Sequence, residues 1–302
     1  GDRYLKRFFF ADTMEQPWIL SGKISSQARE YGKTLCVPGA NIVEIADKVE
    51  EKITRLGGKP AFPVDLSLNS MAAHYCPFVD DPIVLQKGDL VKLDLGTHVD
   101  GYVTDTAVTI EVGDTDKHKK MREAAHAAVE AAITVVQPGV KLCEIGAAIA
   151  DTIHSYGFQP IKNLCGHGVG QWEVHVKPTI PNYDNGDQTT LTQGQRIAIE
   201  PFVTDGEGMI KEGKPSGIYA LVNPRPVRLD GARKLIQHIL KEWKTLPFTV
   251  RWVKSFPNYQ FLLQYLEKEG VIMQYKQLPE RSNGLVTQEE HTVMVGEGVL
   301  TR

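Results

Sequence analysis

Two aspartates stand where carboxylates ought to be costly. The stretch LVKLDLGTHVDGYVTDTAV (90–108) has the alternating apolar pattern of strands, yet it carries Asp94 and Asp105 inside that pattern. Asp100-Gly101 between them is a strong two-residue hairpin signal. With those two residues in the turn, Val99 pairs with Tyr102 and Asp94 pairs with Ala107. Asp105 then falls on the same face as Asp94, a diagonal neighbour roughly 7–8 Å away. Converging ionised carboxylates repel, so either one keeps its proton or a cation sits between them. On these two residues alone, a pair of solvated acids near a turn is an equally good reading.

More residues tip the balance. GHGVGQWEVH (166–175) sets His167 and His175 eight positions apart in a run too glycine-rich for a regular helix. Along one strand, an even spacing puts both imidazoles on one face. Glu200 ends the alternating run LTQGQRIAIE, and LVTQEEHTVMVGEG (285–298) reads as one last strand carrying Glu289 and Glu290. Asp94, Asp105, Glu200 and Glu290 with one imidazole form an oxygen-rich set suited to a pair of divalent ions, and manganese, iron, cobalt or zinc would each be acceptable to it. Such ions, held roughly 3.5–4 Å apart, can position a water for attack on a carbonyl. A phosphate loop at GHGVG lacks the Lys-Ser/Thr that would follow it. Cys165 has no second thiol at zinc-site spacing.

The elements that must position these groups come in two copies. VPGANIVEIADKVEEKITRLGGKP (37–60) lies over QPGVKLCEIGAAIADTIHSYGFQP (137–160) without a gap, so that Pro38, Gly39, Glu44, Ile53, Gly57 and Pro60 recur 100 positions later. LQKGDLVKLD (85–94) lies over LTQGQRIAIE (191–200), with Asp94 on Glu200, now 106 later. Each half offers a Pro-Gly turn, an amphipathic helix stopped at a glycine, and strands ending in a carboxylate. Two copies facing each other bring Asp94 and Glu200 across a pseudo-two-fold axis. After Glu200 the symmetry fails, and residues 224–283 read as a mainly helical insertion.

The 302 residues carry a net charge of −3, with 42% apolar and 24% charged residues, which suits a globular chain with a substantial core and gives no reason to expect nucleic acid as a partner. Four cysteines without CxxC spacing point to a reducing, cytoplasmic setting. No apolar run is long enough to span a membrane. Residues 1–13 read as a leader or tag remnant ahead of Met14, with an ordinary surface helix as the equal alternative; residues 14–302 read as a single catalytic domain.

The chain resembles the type II methionine aminopeptidases, in their short archaeal form, from about Trp18 to its end. AFPVDLSLNSMAAHYCP (61–77) is similar to the family's segment bearing a substrate-side histidine, here His74. KLDLGTHVDGYVTDTAV resembles the two-aspartate metal hairpin, GHGVGQWEVH the block with a histidine ligand and a second catalytic histidine, and IAIEPF and EHT the two glutamate blocks. The resemblance implies an α/β pita-bread fold and two divalent metal ions held by Asp94, Asp105, His167, Glu200 and Glu290. It further implies removal of the initiator methionine from peptides and nascent chains, with Glu200 also the general base and His74 and His175 at the scissile carbonyl. The methionine pocket would use Phe62, Val174, Ile218, Tyr275 and Leu278. A monomer is expected, and docking on the ribosome stays open.

Two departures stand out. VKPT follows His175 where a small turn is usual, so that Lys177 and Pro178 would narrow the cleft rim. Glu289 precedes Glu290 where an aromatic is usual, which leaves the register between the two glutamates ambiguous. Two rival readings are a pita-bread peptidase cleaving before proline and a non-catalytic binding protein on the same scaffold. The first usually carries a further N-terminal domain and lacks the 224–283 insert; the second should have lost ligands and gained basic stretches.

Overall fold

In the computed structural model, residues 16–302 are described in full and residues 2–15 only as part of helix α1 (Asp2–Leu35). The expectation of a leader over 1–13 therefore lies outside the fully described residues. Helix α2 (Ile42–Arg55) starts where Asn41 accepts hydrogen bonds from the Val43 and Glu44 amides, a side-chain N-cap. Its stripe of Ile42, Ile45, Val49 and Ile53 is buried, and each such side chain contributes about 1.5–3 kcal/mol. Helix α4 (Leu142–Ser155) is its counterpart, with Leu142, Ile145, Ile149 and Ile153 buried in the same phase. Gly57 (φ +99°) and Gly157 (φ +82°) end the two helices in the left-handed region that a side chain resists.

The duplication extends to individual hydrogen bonds. Gly39 N donates to Leu85 O and Gly139 N to Leu191 O, both at 2.7 Å; Gly88 N donates to Val112 O and Gly194 N to Val295 O, both at 2.8 Å. Helices α1 and α2 cover a three-stranded antiparallel sheet of Lys59–Leu68, Leu90–Val99 and Tyr102–Glu111. Helices α3 (Lys119–Val135) and α4 pack on the second half. There a five-stranded sheet runs in the order Gly298–Val299, His291–Met294, Arg196–Ile199, Gly166–Gly170, Glu173–Ile180.

The aspartate hairpin has the expected register, with Val99 opposite Tyr102, Asp94 opposite Ala107 and Gly96 opposite Asp105. Asp100 (φ +51°) and Gly101 (φ +87°) form the two-residue turn with both φ angles positive. The 285–298 segment is not one strand. Val286–Gln288 pairs with Phe202–Thr204, His291–Met294 pairs with Arg196–Ile199, and the chain changes sheets at Glu289-Glu290. His167 and His175 likewise lie on two strands of a hairpin, because Gln171-Trp172 turn the chain where a single strand was expected.

The helical lobe has its own core, built from helices α5 (Asp230–Glu242) and α6 (Tyr259–Lys268) with the strands Pro215–Leu221, Phe248–Thr249 and Ile272–Lys276. Leu235, Ile236 and Ile239 are buried as their spacing requires, whereas Leu240 is exposed. One buried ion pair ties the lobe to α2. Arg251 donates to Glu50 Oε1 at 3.0 Å and Oε2 at 2.7 Å, to Asp47 and to Pro77 O, while Trp252 Nε1 also donates to Glu50. Truncation by Arg251→Ala would strand Glu50 without its cation. Urea unfolding should register a loss of about 3–5 kcal/mol; a loss within experimental error would mean that the lobe docks without this pair.

Candidate metal centre

Four segments from both halves converge on one spot. The backbone of Glu290 is stitched to the aspartate hairpin: Glu290 N donates to Ala107 O at 3.0 Å, and Thr106 Oγ1 donates to Glu290 O at 2.8 Å. Thr292 Oγ1 accepts from Asp105 N and donates to Asp105 O, each at 2.8 Å. This fixes the register between the glutamates. Glu290 is fully buried beside Asp105, whereas Glu289 turns outward and accepts from His126 Nδ1 at 3.0 Å.

His167 reaches the same spot from the adjoining sheet. Its strand packs so closely that a Cβ at Gly166 would lie 2.2 Å from Ala198 O, and one at Gly168 would lie 2.4 Å from Lys177 O. The glycines of GHGVG therefore serve close strand contact. His167 Nδ1 donates to Gly168 O at 2.9 Å, which leaves Nε2 to face Glu200 Oε2 at 3.1 Å and Asp105 Oδ2 at 3.4 Å. A backbone carbonyl on one ring nitrogen is the usual way of presenting the other to a metal. Glu200 follows the strand Arg196–Ile199, where Asn182 Nδ2 donates to its carbonyl at 3.1 Å.

Ligand atoms of Asp105, His167, Glu200 and Glu290 all lie within 4.8 Å of one another. Asp94 stands beside this quartet, its Oδ2 accepting from Gln288 Nε2 at 3.2 Å. Asp94 Oδ1, Asp105 Oδ1, His167 Nε2 and both Glu290 oxygens are buried without a hydrogen-bond partner. Burial raises the Asp94, Glu200 and Glu290 carboxyls, and repulsion from neighbouring carboxylates adds to the rise. Burial by itself would depress His167, but Asp105 and Glu200 outweigh it and hold the imidazole well above its ordinary value. Orphaned oxygens facing a tautomer-fixed imidazole suit hard or borderline divalent ions. A quartet with a fifth carboxylate to one side suits two ions sharing bridging carboxylates.

The centre forms one wall of a cleft of roughly 480 Å³, whose lining includes Asp94, Asp105, His167 and Glu200 together with His74 and His175. The His175 ring lies 4.3 Å from that of His167 and is pushed down to about 3 by burial and by the His167 charge. His74 sits in the left-handed region (φ +62°), its Nδ1 3.2 Å from Lys276 O and its ring edge-on to Tyr275. Burial lowers its pKa as well. Phe62, Val174, Ile218, Tyr275 and Leu278 all line the cleft, as does Lys177, whereas Pro178 is not among its lining residues.

Sequence reasoning missed Gln288, Asn182 and Asp65. The last is a third buried aspartate lining the cleft from the strand Lys59–Leu68. The rule that singled out Asp94, a carboxylate inside an apolar alternating run, applies equally to Asp65 in AFPVDLSL.

Comparisons with known proteins agree in their direction. The model of metallopeptidase family M24 matches residues 20–239. The methionine aminopeptidase of Archaeoglobus fulgidus is 44% identical over 290 residues, spanning 96% of this chain and 98% of the relative. Among solved structures, the methionine aminopeptidase of Thermotoga maritima superposes with a TM-score of 0.69 at 25% identity, covering 95% of this chain and 96% of that one. A thermophilic Arx1 superposes with a TM-score of 0.82 at 18% identity, covering 94% of this chain and 88% of that one, a likeness of fold alone.

In chelator, Glu290→Gln should be at least as stable as the parent protein, because it removes one of several repelling carboxylates. Divalent ions at about a hundred times their dissociation constant should stabilise the parent by roughly 2.7 kcal/mol and the variant far less. Melting curves with and without ions check both statements; equal stabilisation of the two proteins would separate Glu290 from the ions.

Proposed function

The chain belongs to metallopeptidase family M24 and has its pita-bread fold, and from the premise that it removes N-terminal methionine in a metal-dependent reaction we propose how its residues divide the work. Asp94, Asp105, His167, Glu200 and Glu290 hold two divalent ions. The observation that carries this assignment is the set of buried, partnerless ligand atoms at the polar end of an apolar cleft. When bound, the ions supply a water acidified for attack and an electrophile for the scissile carbonyl. Glu200, within ligand distance of the centre and raised by burial, accepts the proton of the attacking water.

His175 is held neutral by burial, so it can donate its N–H to the oxygen of the reacting carbonyl without first taking up a proton, whereas the one proton of neutral His74 is given from Nδ1 to Lys276 O, which leaves Nε2 an acceptor for the substrate beside the scissile bond. Phe62, Val174, Ile218, Tyr275 and Leu278 enclose the methionine side chain, and exclusion of water there strengthens the electrostatics beside it. Gln288 and Asn182 hold Asp94 and the Glu200 backbone in place. In this reading the substrates are free N-terminal methionine peptides and nascent chains, met in the cytoplasm by a monomer. Among the described residues no helix is long and apolar enough to cross a membrane.

Met-Ala-Xaa peptides should be hydrolysed and Xaa-Pro peptides should not; the converse would point to a proline-directed peptidase. Chelation should abolish turnover, and manganese, cobalt, iron or zinc should restore it. Glu200→Gln should lower kcat about 10²–10⁴-fold, the usual worth of a general base. Ion content measured on the same sample separates loss of the base from loss of a ligand. Unchanged turnover in Glu200→Gln would remove the base assignment.

A further inference from the structure

Among the described residues, Lys177 is the one lysine or arginine that lines the cleft. The other charged or titratable groups around it are mainly the carboxylates of the metal wall and the imidazoles beside them. Lys177 is exposed and makes no hydrogen bond or ion pair with any described residue. The strand Glu173–Ile180 brings it there through a bulge. Val176 lies opposite Gly168 and Thr179 opposite His167, so Lys177 and Pro178 have no residue facing them across the hairpin. Bulges beside active sites re-aim a side chain that a regular ladder would keep in its alternation. The backbones are in close contact here, since a Cβ on Gly168 would lie 2.4 Å from Lys177 O. The base of the lysine is therefore held, while its flexible four-carbon stem leaves the ammonium free to reach.

Order along the strand says what that ammonium meets. Val174 belongs to the methionine pocket, His175 faces the reacting carbonyl, and Lys177 follows, all three lining one cleft. A substrate presents its methionine side chain, scissile carbonyl and downstream residues in the same order. Two residues of extended backbone span about 6.6 Å. Lys177 thus lies as far beyond His175 as the third residue of an extended substrate lies beyond the scissile carbonyl. We propose that Lys177 is a specificity determinant that receives a carboxylate two residues beyond the methionine. An acidic third residue or the C-terminus of a tripeptide would each supply that group. The assignment rests on the methionine aminopeptidase reading of the cleft. A compact ammonium in contact with water suits a carboxylate as a point charge, and VKPT stands where a small turn is usual, so this charge is a feature of the present chain.

The test uses the metal-loaded full chain and Lys177→Met, which keeps a long side chain without its charge. Amidated Met-Ala-Glu against amidated Met-Ala-Gln reads the side-chain carboxylate; free Met-Ala-Gln against its amide reads the C-terminus. The parent protein should favour the carboxylate in at least one pair by about two- to fivefold in KM, the usual worth of an exposed ion pair. Salt near 1 M, where the screening length is about 3 Å, should erase the preference. In Lys177→Met the KM of the carboxylate peptide should rise to that of its neutral partner. Lys177→Glu should instead favour amidated Met-Ala-Lys over amidated Met-Ala-Gln, a reversal that a merely structural residue would not produce. No preference in either pair, a preference that survives in Lys177→Met, or equal losses for charged and neutral peptides would each overturn the proposal. Failure of the parent protein to cleave any Met-Ala peptide would instead overturn the reading beneath it.

Discussion

Carboxylates of like charge do not gather out of water unless something of opposite charge gathers with them. Asp65 and Asp94 face each other across two strands with Asp105 diagonal to them on the third, and Glu200 and Glu290 close on them from the other half of the molecule. In so dry a place their mutual repulsion and lost hydration favour the protonated forms, and only one imidazole stands among the four converging residues to oppose this. Much of the architecture serves to hold these groups together in spite of that cost.

The holding is done by backbone and hydroxyls rather than by the acids themselves. Thr106 and Thr292, with the Ala107–Glu290 bridge, lace the aspartate hairpin to the strand of the second sheet, so Glu290 cannot drift from Asp105. Repeated turn hydrogen bonds 100 and then 106 residues apart set the two halves on the same plan. Each half delivers a carboxylate from an equivalent strand, Asp94 from one and Glu200 from the other. The helical lobe, anchored through Arg251 to Glu50, adds Ile218 and Tyr275 to the apolar side of the cleft.

What was legible in the sequence follows from what is local. The hairpin register could be read because Asp100-Gly101 demands positive φ at both positions and the strands alternate with a period of two. The duplicated helices could be read from their stripes and terminal glycines. Two features were hidden for physical reasons. Gln171-Trp172 carries no ordinary turn residue, so two strands looked like one. Glu289-Glu290 marks a change of sheet made in extended backbone, which leaves no trace in composition. Asp65 was hidden more deeply: its meaning depends on pairing with Asp94, and the register shift between Phe62 and Asp65 makes that pairing invisible in the linear sequence.

The claim beneath all of this is that five side chains from the two halves surround a pair of ions. Anomalous X-ray diffraction from crystals soaked in cobalt, recorded on both sides of its absorption edge, examines that directly. Two peaks are expected, about 3.5–4 Å apart, both within ligand reach of the set Asp94, Asp105, His167, Glu200 and Glu290. A single peak, or peaks away from His167 and Glu290, would contradict the account.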